Sequence, residues 1–174
     1  MSQSHYRFLS IVFAVLLTGA NLGCITDRSS WNELTPVRIS SLLESGDAAR
    51  RASLLLIDEG LESDARGQPE AALARYERAL QVDATNPYVY LAISRHHVEG
   101  RDPARALQFL DHAESLLRMR GGLSDEVQVH LLGLRGAALY DSGQLSEAAE
   151  LLDRARALSP KIWGDGSLDA DELR

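Results

Sequence analysis

The side chains of this 174-residue sequence that could do chemistry are few and scattered. Its single cysteine, Cys24, cannot close an internal disulfide, and it excludes any multi-cysteine metal site. His96, His97 and His112 look like metal ligands. Neighbours on a helix point about 100° apart, so His96 and His97 cannot chelate one ion in the i, i+4 manner. Structural packing is expected for them, with no metal and no cofactor. Asp165, Asp169, Asp171 and Glu172 crowd the stretch 161–174. An EF-hand loop needs a turn glycine where Ala170 stands, so this stretch is expected to be a solvated acidic tail. Trp163 is its exception, expected to dock on the last helix and cap an apolar end. Ser94 and Ser115 lie in helical patterns, without a strand-to-helix elbow or a glycine-rich phosphate loop. No catalytic residue is assigned and an enzyme is not expected; a cryptic hydrolase or metal protein is the remaining alternative.

Net charge is −7, with no basic cluster, so nucleic acid is not an expected partner. The amino terminus carries Arg7 and no acid before the apolar run from Phe8 to Ala20. That run is shorter than the roughly 20 residues a spanning helix needs. A positive end, a short apolar run and small residues after it describe a secretory signal. Two cleavage sites are open. Ala20-Asn21-Leu22-Gly23-Cys24 resembles a bacterial lipobox, with small Gly23 before the cysteine and Asn21 where an aliphatic residue is usual. The resemblance implies a signal peptide over 1–23, acylation (palmitate or a similar chain) at Cys24, and a lipidated tether over 24–35. The rival site, Thr18-Gly19-Ala20, would leave a soluble periplasmic protein after cleavage at Ala20. A lone cysteine at the end of the apolar run favours the lipobox. Each buried methylene contributes about 0.8 kcal/mol, so several acyl chains would hold the protein on a membrane. Ile25, where an aspartate would signal inner-membrane retention, makes the outer membrane the favoured address, with the domain facing the periplasm.

The elements behind these residues are helical. Aromatic residues make up only 6%, while alanine, leucine and arginine, all good helix formers, are plentiful. Three segments align: Glu70–Asp83, Ala104–Leu117 and Ser146–Ser159. Ala72, Ala106 and Ala148 coincide, then Tyr76, Leu110 and Leu152, then Ala79, Ala113 and Ala155. Gly67, Arg101 and Gly143 share the preceding turn, and Gly60, Ser94 and Gly136 a small site one helix earlier. The first step is 34 residues; the second is longer by an insertion around Leu117–Glu126 that contains Gly121-Gly122. Asn86-Pro87 and Asp102-Pro103 place a capping side chain before a proline at the first helical position. Gly67, Gly100 and Gly143 suit helix-ending turns.

A 34-residue period of paired helices resembles the tetratricopeptide repeat, over about Ser53 to Pro160. The resemblance implies an all-α fold, a short α-solenoid of about three helix hairpins occupying 36–160. The repeats fall at about 53–86, 87–128 and 129–160. Helices are predicted near 47–65 and 70–83, 87–99 and 103–119, 124–142 and 145–157, with an extra short N-terminal helix over 36–44 and the acidic tail 161–174 behind. The nine aligned residues Ala72, Tyr76, Ala79, Ala106, Leu110, Ala113, Ala148, Leu152 and Ala155 are its packing signature.

In that family the first helix of each pair lines a concave groove for a partner segment. Carried onto this sequence, the lining is Ile57, Leu61, Tyr88, Leu91, Arg95, Val98, His130, Leu134 and Tyr140. It is mainly apolar, with isolated Arg95, unlike the basic variety that grips acidic chain ends. The expected function is a non-catalytic scaffold, a lipoprotein whose partners are proteins of the bacterial envelope, in a pilus, secretion or outer-membrane machine. The alternative is a homodimer in which the groove is the self-association surface.

Overall fold

The computed structural model describes residues 34–174. The signal peptide, Cys24 and most of the tether lie outside this range. Within it the chain is helical, without strands. A 3₁₀ turn, Ile39–Leu42, precedes α1 (Ala48–Ala65), α2 (Pro69–Val82), α3 (Pro87–Glu99), α4 (Pro103–Met119), α5 (Asp125–Asp141) and α6 (Leu145–Leu158). Two single turns follow, α7 (Pro160–Trp163) and α8 (Ala170–Leu173). The long helices pair as antiparallel hairpins, α1 with α2, α3 with α4 and α5 with α6, and the hairpins stack in chain order.

Local chemistry sets the helix starts. Proline stands at the first position of α2, α3 and α4, where its missing N–H costs nothing. The Asn86 side chain accepts from the Tyr88 N–H at 3.2 Å, and that of Asp102 from the Arg105 N–H at 3.2 Å. The ends repeat as well. After α1, the Gly67 N–H donates to the Asp64 carbonyl and the Gln68 N–H to Ser63, the paired bonds of a Schellman stop. The same pair recurs at Arg101 and Asp102, at Gly121 and Gly122, and at Gly143 and Gln144. Such a stop needs a left-handed residue, and φ is +68° at Gly67, +55° at Arg101 and +83° at Gly143. Gly100 is the C-cap of α3, in the helix-ending turn as expected, but its φ is −73° and Arg101, one residue on, takes the left-handed position.

The aligned small residues sit where helices cross. A Cβ on Gly60 would lie 2.3 Å from the Tyr76 ring, and one on Gly136 2.8 Å from Leu152 Cγ. In the middle hairpin the Ser94 hydroxyl donates to the Ala106 carbonyl at 3.0 Å. Ala72, Tyr76, Ala79, Ala106, Leu110, Ala113, Ala148, Leu152 and Ala155 are all buried, on the faces that α2, α4 and α6 turn toward their partners. The insertion lengthens α4 past α2 and α6 and adds the loop before α5.

Two expectations about the ends are overturned. The helix over 36–44 is a 3₁₀ turn of four residues; Leu34 to Arg38 run extended beside α5 and α6, bonded through Leu34 N–H to the Leu158 carbonyl and Val37 N–H to that of Glu126. The stretch 161–174 is not a solvated acidic tail. Trp163, Leu168, Ala170 and Leu173 are buried in the core, while Asp165, Asp169 and Asp171 face outward. Burial of three large apolar side chains outweighs the solvation of acids that need not be buried with them.

Candidate functional site

The face built by α1, α3 and α5 is the surface on which a groove is expected. Ile57 and Leu61 from α1, Leu91 and Arg95 from α3, and His130 and Leu134 from α5 all point into it and are buried. Tyr88 and Val98 are half-buried. Tyr140, near the end of α5, is 61% exposed and stands apart from the rest. An open groove with nine accessible residues is thus corrected to a filled one, and its contents come from the chain itself.

The C-terminal segment crosses all three first helices in reverse order. Trp163 lies on α5, where a Cβ at Gly133 would be 2.4 Å from the indole. Only the missing side chain at Gly133 admits the ring so closely. The expectation that Trp163 caps the last helix is corrected accordingly: it seats on the first helix of the last hairpin. Further on, the Leu168 carbonyl faces Arg95 of α3, with Nη1 at 3.4 Å. Last, Arg174 reaches α1, its Nε 3.0 Å and Nη2 3.2 Å from the two carboxylate oxygens of Asp58, with Glu62 at 3.5 Å. The segment before α1 closes over it. Ser40 N–H donates to the Arg174 main-chain oxygen at 2.7 Å, and the Arg38 guanidinium to the carbonyls of Asp171 (2.6 Å) and Glu172 (3.3 Å).

Beneath this layer is a buried polar cluster. Arg95 donates from Nη2 to Asp64 Oδ2 at 2.6 Å and pairs with Glu99 at 2.8 Å. Asp64 also accepts from the Tyr76 hydroxyl at 2.9 Å and, on its other oxygen, from His96 Nδ1 at 2.9 Å. Burial by itself raises the Asp64 pKa, but the His96 hydrogen bond and the Arg95 charge outweigh it and hold the carboxyl below its ordinary value. For Tyr76 both burial and the Asp64 charge act upward, so the phenol keeps its proton. The cluster therefore joins α1, α2 and α3 as a charged, hydrogen-bonded knot. Beside it Asp64, Gly67, Pro69, His96, Glu99 and Gly100 border a shallow cleft of about 340 Å³.

His130 is a further buried polar residue of the face. Its Nε2 donates to the Val37 carbonyl at 3.0 Å, which fixes the neutral tautomer, and its ring lies 6.3 Å from that of Trp163. Burial depresses its pKa to about 4, against a smaller upward push from the Val37 bond. The other histidines pack: His97 stacks on Phe109 at 5.5 Å, and His112 lies 5.6 Å from Tyr90. Among the described residues no three His, Cys, Asp or Glu side chains are grouped to hold a metal ion. What the site offers is recognition: a slot for an aromatic ring, an apolar floor, and a carboxylate pair for a cation.

Three features were missed by reading the sequence. Asp64, Asp58 and Glu62 read as ordinary solvated charges of α1, although Asp64 lies on the same turn as Leu61. Gly133 showed no turn context that would single it out. Trp163 was expected to dock, but Leu168 and Leu173 were not, because the three recur every five residues, a period of neither helix nor strand.

Comparison with known proteins agrees with this architecture. Residues 65–117 match a family model described as tetratricopeptide repeat. Such repeats generally mediate protein–protein interaction and are typically non-catalytic. Among solved structures, the N-terminal domain of stress-induced protein-1 (STI-1) from C. elegans is similar in fold, with a TM-score of 0.55 at 20% identity over 74% of this chain and 98% of that one. No curated protein matches the chain in sequence. Residues 34–174 form an all-α, tetratricopeptide-type stack of helix hairpins.

Proposed function

We propose that this chain is a lipid-anchored, non-catalytic scaffold of the bacterial envelope. It holds one protein near another in an assembly such as a pilus, secretion or outer-membrane machine. The observation that carries this reading is the joining of an interaction-type repeat stack to an export-type leader that ends at Gly23, immediately before Cys24. The lipid would hold the domain at the membrane, on the periplasmic side and by preference at the outer membrane, with residues 24–35 as tether. The self-association alternative uses the same concave face, and so requires the C-terminal segment to leave it first.

The test is metabolic labelling with radioactive palmitate in a Gram-negative host, followed by membrane fractionation and crosslinking. The native chain is expected to take up label and to sediment with outer membrane; Cys24→Ser is expected to lose the label and move to the soluble periplasm. An unlabelled native chain cut after Ala20 would replace the anchored reading with the soluble one. Crosslinking that captures only a second copy of the chain would favour the homo-oligomer.

A further inference from the structure

We propose that the concave face binds an extended partner segment with the chemistry of the chain's own C-terminal segment, which occupies the site in competition with it. The inference rests on the scaffold reading above and names the partner. The partner carries an aromatic side chain, an aliphatic one about five residues on, and an aliphatic–basic pair about five further.

The occupied site displays its own specificity. The slot over Gly133 accepts a flat ring, because the helix presents backbone there and nothing else. Buried Leu168 and Leu173 mark two apolar seats. Asp58 and Glu62 select a cation at the far end, the role Arg174 now fills. The remaining contacts go to main-chain atoms: Arg95 to the Leu168 carbonyl, Arg38 to those of Asp171 and Glu172, and the Ser40 N–H to Arg174. Main-chain contacts carry no sequence information, so another extended segment can take them over.

The occupant also fits imperfectly. Arg95 Nε, His130 Nδ1 and Trp163 Nε1 are buried and have no hydrogen-bond partner among the described residues. All three lie where the segment meets α3 and α5, and each forfeits the hydrogen bonds it had in water. A partner that offers an acceptor to Arg95 or a donor to His130 gains what the intramolecular segment lacks. The segment holds its place by tethering, since the short connector Gly164–Ser167 keeps it at a high effective concentration. A partner with a basic end suits this site better than a second copy, because two chains of net charge −7 repel.

The probe is a fluorescently labelled peptide with the sequence of residues 159–174, titrated into the full chain purified in detergent and followed by anisotropy. The native chain is expected to bind weakly. Arg174→Glu places a third carboxylate against Asp58 and Glu62, loosens the resident segment, and is expected to tighten peptide binding at least tenfold. Leu173→Asp, which removes an apolar seat-filler instead, is expected to do the same, and circular dichroism checks that both variants keep their helices. A peptide with alanine in place of its tryptophan is expected to bind neither variant. Equal binding to native and loosened chains, or equal binding of the alanine peptide, would overturn the proposal. So would a loosened chain that ignores the peptide but doubles in mass by light scattering, which assigns the face to exchange between copies. Because the peptide titration needs neither lipid nor envelope, its failure beside a crosslinked envelope partner would leave the scaffold reading standing and remove only this one.

Discussion

His130 shows how one residue ties the covering segments to the stack. It is neutral because it is buried, and among the described residues its one side-chain hydrogen bond goes to the Val37 carbonyl of the N-terminal segment. Its folded pKa is about 4, against roughly 6.5 in an unfolded chain. A depressed folded pKa means that the unfolded state takes up the proton first. The stability His130 contributes is therefore fully present above about pH 6.5 and is lost as pH falls toward 4. Each unit is worth about 1.4 kcal/mol, so up to about 3 kcal/mol goes over this window. His97, which burial and the neighbouring His96 also push down, adds to the loss with the same sign. Asp64 acts lower: its carboxyl is held below the ordinary value, and its contribution goes as pH falls through that depressed range. Urea titrations at steps from pH 7.5 to 4.5 check this. Native protein is expected to lose stability faster than His130→Gln, and parallel curves would show that His130 is not the group responsible.

At the scale of elements, much of the fold was legible before any coordinates. The six long helices fall within a few residues of their predicted bounds, because proline marks the starts of α2, α3 and α4 and a left-handed residue marks the stops of α1, α3, α4 and α5. The aligned positions Gly60, Ser94 and Gly136 prove to be helix crossings, a geometry that a 34-residue period carries from hairpin to hairpin. The N-terminal segment was misread for an equally local reason. Residues 36–44 have apolar spacing that suits a helix, yet the main-chain groups of Val37 and Ser40 find better partners in α5 and Arg174 than in one another. The repeated stop makes a sharp prediction at its odd member. Arg101 has φ +55°, a conformation that costs an L residue about 1–2 kcal/mol, while its exposed pairing with Asp141 at 3.5 Å returns little. Arg101→Gly also makes the unfolded chain more flexible, which offsets part of the gain. A net stabilisation of about 0.5–1 kcal/mol is expected from the urea midpoint; a loss would mean that the Arg101 side chain matters more than its backbone.

The described domain is a stack whose inner face is closed by two segments, 34–42 before α1 and 160–174 after α6, and this was the part the sequence hid. Acids at 165, 169, 171 and 172 look like a solvated tail, and a five-residue apolar spacing fits neither regular element. Such a segment makes sense only against a groove already built by α1, α3 and α5, so its burial is a property of tertiary structure. Two kinds of burial can then be separated experimentally. The helix pairs hold one another through the aligned alanines and Tyr76; the C-terminal segment is held by an aromatic slot at one end and an ion pair at the other. Gly133→Ala puts a methyl group where the indole of Trp163 lies, 2.4 Å from its ring atoms, while leaving every hairpin crossing untouched. The overpacking is expected to cost about 1–3 kcal/mol, and displacing the segment relieves it without unfolding the stack. In a Trp31→Phe background, where Trp163 is the remaining tryptophan, its emission should shift to the red. Amides 161–174 should lose hydrogen-exchange protection, while those of α1–α6 and the helical circular dichroism stay near native. Loss of protection throughout would show that the segment is part of one cooperative core, and then nothing could displace it without unfolding the protein.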